Sequence, residues 1–210
     1  MPIGRMNQIR SEKENKQEIL PFEKHGIYKR FWSATFDHVE KRGVPIHLQK
    51  QFGQVKDWTD NIESNLENGI GMVLKGPVGT LKTTLAVAAL QYHLLRGKSG
   101  FFVPMVNLMD TIFTLKEKNK AEWLQYEERI RGASLLVLDD FGAEYDNRWV
   151  NSKVDAIINE RYNRMLPVIM TTNLTAKELE GAYTKRIYDR IASVSQVVNF
   201  EGESLRKLGA

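Results

Sequence analysis

The stretch Gly76-Pro77-Val78-Gly79-Thr80-Leu81-Lys82-Thr83-Thr84 lies between the apolar run Met72-Val73-Leu74 and an apolar-faced segment through Leu85, Ala88, Tyr92 and Leu95. Glycines in such a loop let backbone N–H groups turn toward one concavity, and a helix starting at Lys82 adds the positive end of its dipole. That chemistry cradles phosphate. Lys82 offers a mobile point charge to the β and γ oxygens of a triphosphate, and the Thr83 hydroxyl can complete a Mg²⁺ shell. ATP with Mg²⁺ is the ligand expected. Leu81 stands where the usual pattern of these loops has glycine, and its Cβ and branch predict looser binding and slow turnover.

A second polar pair ends the apolar run Leu135-Leu136-Val137-Leu138 at Asp139-Asp140. In a parallel sheet the carboxyl ends of strands face the crevice where ligands sit. Asp139 is the candidate to hold Mg²⁺ through its water shell, and Asp140 the candidate to orient or deprotonate the attacking water. Glu144, in the following loop, is the reserve candidate for the base. The run Val168-Ile169-Met170 leads into Thr171-Thr172-Asn173. Asn173 is the candidate to hydrogen-bond the attacking water or the γ-phosphate; the alternative is an Asx cap on a helix from Thr175 to Glu180.

Further along, Lys185-Arg186-Ile187-Tyr188-Asp189-Arg190 and Ser204-Leu205-Arg206-Lys207 supply guanidinium groups. The planar fork of arginine suits a phosphoryl-transfer transition state, which makes Arg190 a catalytic candidate and Arg206 a nucleotide-binding one. One of them is suited to act across a subunit boundary; the alternative is solvated helix charge. Lys29-Arg30-Phe31-Trp32 mixes cations with aromatics, as single-strand binders do, although packing of the lead-in segment, beside the adenine, is the stronger reading of Phe31, Trp32 and Phe36.

The elements that must position these groups follow from periodicity. Leu48, Phe52, Val55, Trp58, Ile62 and Leu66 recur every three or four residues and predict one helix, ended by Gly69. Short apolar runs at Met72–Leu74, Phe101–Val103, Leu135–Leu138, Val168–Met170 and Val197–Val198 predict five strands. Between them lie helical patterns through Leu85 to Leu95, around Leu108, Ile112 and Leu115, and through Val150, Val154, Ile157 and Ile158. Continuously apolar strands alternating with helices predict an α/β fold with a parallel sheet covered on both faces.

With 210 residues, 42% of them hydrophobic, the chain suffices for one domain with a sizeable core. Thirty Lys and Arg against 26 Asp and Glu give a net charge of +4, compatible with a polyanionic partner. Cysteine is absent and the four histidines are scattered, which excludes disulfides and Cys-based zinc sites. Met1 to Arg10 lacks the apolar core of a signal peptide, and no apolar run approaches the roughly 20 residues of a membrane helix. A soluble, cytoplasmic protein is expected. Residues 1 to about 30 include the charged stretch Ser11 to Glu18 and read as an arm. The division expected is an N-terminal extension over 1–45 and an ATPase domain over 46–210.

These residues together resemble the DnaC-type helicase loaders and their IstB-type relatives within the AAA+ ATPases. Gly76 to Thr84 corresponds to Walker A, Leu135 to Asp140 to Walker B, and Thr171-Thr172-Asn173 to sensor I. Tyr188-Asp189-Arg190 matches the arginine-finger region, and Ser204-Leu205-Arg206 matches sensor II. The resemblance covers about residue 30 onward. It implies a P-loop NTPase three-layer sandwich of the ASCE type, with a five-stranded parallel sheet ordered 5-1-4-3-2 and the nucleotide at a subunit boundary. It also implies an ATP-dependent homo-oligomer that places a replicative DnaB-type helicase ring onto single-stranded DNA. The chain departs from the pattern at Leu81 and in a short amino-terminal part without the cysteine cluster of some loaders. Within the same resemblance stands a transposition helper ATPase on duplex DNA. A nucleotide-binding switch with little hydrolysis, or a small-molecule kinase with an arginine lid, are the other uses such a loop allows.

Overall fold

The computed structural model describes residues 22–142, 148–182 and 185–207. In chain order, α1 (Phe36–Arg42), α2 (Gln49–Asp60) and α3 (Ile62–Glu67) precede β1 (Gly71–Lys75), which α4 (Lys82–Leu94) joins to β2 (Gly100–Pro104). Helices α5 (Met105–Lys118) and α6 (Lys120–Gly132) lead to β3 (Leu135–Asp139), and α7 (Arg148–Asn163) to β4 (Val168–Thr172). Helices α8 (Ala176–Ala182) and α9 (Lys185–Ser193) precede β5 (Ser195–Asn199).

The strands form one parallel sheet in the order β2-β3-β4-β1-β5. Read from its other edge this is 5-1-4-3-2, the expected order. Successive strand residues point to opposite faces, and both faces are covered. Met72, Leu74, Phe102, Leu135, Val137, Ile169 and Val198 pack in one core with α2 and α4. Val73, Phe101, Val103, Leu136, Leu138 and Met170 pack in a second core with residues of α5, α6, α7 and α9. Three layers result. Among the described residues, no helix is long and apolar enough to cross a membrane.

Two stretches differ from the periodicity reading. The helix expected through Leu48 to Leu66 breaks at Asn61 (φ −96°, ψ 20°) into α2 and α3. There the Asn61 side chain donates to the Asp57 carbonyl and the Asn65 side chain to the Trp58 carbonyl, competing with the helix's own bonds. Helix α6 has no counterpart in the periodicity; Asn119 caps it by accepting from the Glu122 N–H, and only Trp123 and Ile130 are buried. A sparse apolar stripe left its period hard to read.

The described part of the extension, from Phe22, shares the first core: Phe22, Ile27, Ala34, Phe36 and Val39 all lie in it. It also covers the edge of β2. A Cβ on Gly26 would stand 2.2 Å from the Phe102 carbonyl oxygen, and His25 Nδ1 donates to the Gly100 carbonyl at 2.9 Å. The stretch Ser11 to Glu18 lies outside the described residues.

Candidate nucleotide site

The loop between β1 and α4 is built around two positive-φ glycines. Gly76 (φ 149°) passes so close to β5's exit that a Cβ would sit 2.2 Å from the Phe200 carbonyl oxygen. Gly79 (φ 81°) leaves room for Ser204, whose hydroxyl a Cβ would meet at 2.0 Å. The Leu205 N–H donates to the Gly79 carbonyl at 3.0 Å, so the C-terminal segment straps the loop. Thr80 is buried and donates to the Pro77 carbonyl at 2.8 Å. Leu81 adopts the left-handed conformation (φ 69°, ψ 1°) immediately before α4. That region suits the glycine usual at this place and costs an L-residue about 1–2 kcal/mol, which contact of its side chain with the first core offsets in part.

Lys82 opens α4 and is buried; its ammonium donates to the carbonyls of Gly76 at 2.8 Å and Pro77 at 2.6 Å. Burial lowers its pKa, with Asp140 and Asp139 opposing the shift. The next residue reaches the second strand. Thr83 Oγ1 donates to Asp139 Oδ1 at 2.8 Å, and Thr171 Oγ1 donates to the same oxygen at 2.6 Å. Asp139 is buried, which raises its pKa, while the hydroxyls of Thr171 and Thr83 counter the rise. Asp140 is exposed and turns out of the strand with φ 55°.

A cleft of ≈ 570 Å³ gathers most of the expected residues: Val78, Gly79, Leu81, Lys82, Thr83, Thr84, Asp140, Asn173 and Arg206 line it. Gly76, Pro77 and Thr80 shape the loop beneath, and Asp139 stands behind Thr83. Asn173 is exposed and is not the cap of α8. Thr175 is that cap: its Oγ1 accepts from the Glu178 N–H at 3.3 Å, and Glu178 Oε2 accepts from the Thr175 N–H at 2.7 Å. Arg190 is not among the residues lining the cleft. It pairs with Asp155 at 3.8 Å and lies 5.7 Å over the Tyr162 ring. Glu144 lies outside the described residues.

The donor set matches Mg²⁺ with a phosphate ligand. Thr83 and Asp139 offer hard oxygens, and no cluster of three or more His, Cys, Asp or Glu among the described residues could cage a metal alone. Mg²⁺ is commonly held by one or two carboxylates with phosphate and water completing the shell.

His38 and Arg42 carry no motif that marks them in the sequence; with Arg30 and Phe31 of the cation–aromatic stretch they line the same cleft from the amino-terminal segment. Phe31 sits 6.2 Å from the Phe102 ring, and its carbonyl accepts from Gln91, so packing fixes this aromatic. His38 and Arg42, four apart on α1, share one helix face, a spacing visible in the sequence. The hydroxyls of Thr171 and Thr172, at the polar end of β4, turn back to hold the Asp139–Phe141 turn.

A profile of the family described as IstB-like ATP binding protein matches residues 24–209. The chain is 24% identical over 192 residues to the replicative helicase loader DnaC of Escherichia coli K12, covering 90% of this chain and 76% of that protein. It is 30% identical over 146 residues to an insertion sequence IS21 ATP-binding protein of Pseudomonas aeruginosa, covering 67% of this chain and 54% of that one. A crystal structure of the DnaC helicase loader superposes with a TM-score of 0.70 at 24% identity, over 83% of this chain and 100% of that chain.

Proposed function

The chain belongs to the IstB-like ATP binding protein family, and from that premise we propose that it is an ATP-hydrolysing helicase loader. In this reading it delivers a replicative DnaB-type helicase to single-stranded DNA during replication. The observation that carries the ATPase part is the meeting of the loop hydroxyl of Thr83 with the strand carboxylate of Asp139. The similarity to the E. coli helicase loader over 90% of this chain supports the partner.

In the proposed reaction, ATP and water give ADP and phosphate. The amides of the 76–81 loop and the start of α4 bind the phosphates, and Lys82 leaves its two loop carbonyls for the β and γ oxygens. Thr83 and Asp139 hold Mg²⁺, which neutralises charge on the phosphoryl group when bound. Asp140 orients the attacking water and accepts its proton, and Asn173 positions that water or the γ-phosphate. Arg206 contacts phosphate from the same chain, while Arg190 serves a neighbouring subunit's site. Leu81 keeps turnover slow.

ATP then acts as a switch, favouring an oligomer that grips single-stranded DNA and the helicase, and hydrolysis releases it. A nucleotide that bound both states equally would shift nothing. Purified full chain is expected to show ATPase activity stimulated by single-stranded DNA and ATP-dependent association with a DnaB-type helicase. Absence of both sinks the reading.

The IS21 relative favours a second reading on the same fold, a transposition helper that coats duplex DNA. ATP-dependent filaments on double-stranded DNA, with no helicase association, select it.

A further inference from the structure

We propose that Thr171 is a positioning residue for the metal and nucleotide, setting the geometry of both Asp139 and Asp140 through one buried hydroxyl. This rests on the ATP and Mg²⁺ reading above.

The ladder between β3 and β4 ends at the pair Leu138 and Met170. Beyond it the strands would normally part, and a side chain takes over. Thr171, with 0% exposure, donates its hydroxyl proton to Asp139 Oδ1 at 2.6 Å and accepts the Asp140 N–H at 2.9 Å. Its carbonyl accepts the Phe141 N–H at 2.7 Å. One residue of β4 therefore binds three consecutive residues at the end of β3.

Each bond has a separate consequence. Asp139 Oδ1 accepts from two hydroxyls, Thr83 and Thr171, on elements that approach it from different sides. That fixes the carboxylate's rotation, and no hydrogen bond among the described residues falls on Oδ2. Oδ2 is thus held in one place, where it can face a cation's water shell. Asp140 sits at φ 55°, a conformation that Asp tolerates better than most residues but still disfavours. The bonds from its own N–H and from Phe141 to Thr171 hold that turn, which carries the Asp140 carboxylate to the cleft. Thr172 extends the brace: its hydroxyl donates to the Phe141 carbonyl at 2.7 Å and accepts the Leu174 N–H at 3.1 Å, across the residue Asn173.

A hydroxyl at position 171 satisfies a donor and an acceptor at once, which an isosteric valine cannot do. Removing a group that orients a metal ligand typically weakens metal binding about 10–100-fold.

The test titrates Mg²⁺ into full-length protein with a fluorescent ATP analogue and reads the Mg²⁺ concentration at half-maximal binding. In Thr171→Val that midpoint is expected to rise about tenfold or more, while metal-free nucleotide affinity in EDTA stays within about twofold. Thr171→Ser is expected to return the midpoint to within about threefold of the native chain. A merely structural threonine would lower the melting temperature without moving the midpoint. An unmoved midpoint in folded Thr171→Val, or a serine variant as defective as the valine one, overturns the proposal. Should the valine variant not fold, Thr171→Ala carries the same expectation and the same refutation. If the native chain itself binds nucleotide without any Mg²⁺ dependence, the ATP and Mg²⁺ reading fails first, and this proposal with it.

Discussion

Thr83 Oγ1 donates to Asp139 Oδ1 at 2.8 Å although 56 residues separate the two in the chain. The bond joins the first turn of α4 to the end of β3, across the intervening β2, α5 and α6. It makes the phosphate loop and the acidic strand end one site. Thr83→Val removes a donor to a buried carboxylate, a loss of about 1–3 kcal/mol. Chemical denaturation without ligand is expected to show that loss, and Mg²⁺-dependent nucleotide binding is expected to weaken. Unchanged stability would mean that the bond contributes nothing in solution.

Lys82 and Asp140 face the same cleft with opposite duties. Lys82→Ala removes the cation that meets the phosphates, so the dissociation constant for ATP is expected to rise tenfold or more, about 1.4 kcal/mol at least. Asp140→Asn keeps shape and polarity and loses only the carboxylate proposed as the base. Binding is expected within about twofold of native, with hydrolysis slower by about 10²-fold or more. Turnover assays beside equilibrium binding separate the two. Normal turnover in Asp140→Asn would move the base assignment to Glu144.

Much of this site was legible in sequence because its parts are local. The loop from Gly76 to Thr84 is contiguous, and each strand announces itself as a short apolar run, with those of β3 and β4 ending in polar residues at the crevice. What escaped depends on neighbours distant in sequence. Thr171 and Thr172 read as polar tips of a strand; only the β3–β4 pairing shows that their hydroxyls turn sideways onto Asp139 and Phe141. Arg161 stands near the end of α7 with no motif around it in the sequence. It is fully buried, donating to the carbonyls of Ile130, Ala133 and Pro167, and so ties the end of α6 to the entry of β4. No local pattern distinguishes such an arginine from a solvated one.

Leu81 tests whether the departure from glycine matters. Its left-handed backbone costs about 1–2 kcal/mol, and its side chain recovers part of this against the first core. Leu81→Gly removes both strain and packing, and adds chain entropy of about 0.5–1 kcal/mol to the unfolded state. The melting temperature is expected to change little, while ATP affinity rises about threefold or more, near 0.7 kcal/mol. Leu81→Ala keeps the strain and loses the packing, so it is expected to melt below both. Thermal melts of the three chains, with ATP titrations alongside, check the order.

His93 gives the apo protein a pH dependence unrelated to the nucleotide. Its ring is buried and Nε2 donates to the Ser99 carbonyl at 3.2 Å, with Ser134 Oγ 2.8 Å away. Burial lowers its pKa below the ordinary 6.5; the Ser99 bond opposes this, and Lys98 and Arg96 add to it. Between the lowered value and 6.5 the unfolded chain binds a proton that the folded chain does not. Stability contributed by His93 is therefore complete above pH 6.5 and declines as pH falls, levelling off below the folded pKa. His93→Gln is expected to lose that component of the acid-side slope. Melting temperatures of native and variant chains from pH 7.5 down to about 5 read it directly.

Arg190 separates a catalytic arginine from a structural one by a mixing experiment. Within one chain it pairs with Asp155 and lies outside the nucleotide cleft, so the proposed contact of its guanidinium with phosphate is one made at a second copy's site. Arg190→Ala alone and Lys82→Ala alone are each expected to be nearly inactive. In a mixed oligomer, a cleft from the Arg190→Ala chain has an intact Lys82 and receives a native arginine from its Lys82→Ala neighbour. With random mixing at equal amounts, one junction in four of a closed ring is complete, so roughly a quarter of native ATPase activity is expected. The control is Lys82→Ala mixed with Asp140→Asn, whose defects sit in the same cleft as each chain's own loop and cannot complement. Recovery in the first mixture and none in the second assigns Arg190 to the neighbouring site. No recovery in either leaves Arg190 as the partner of Asp155 alone, and its loss would then show as a lower melting temperature.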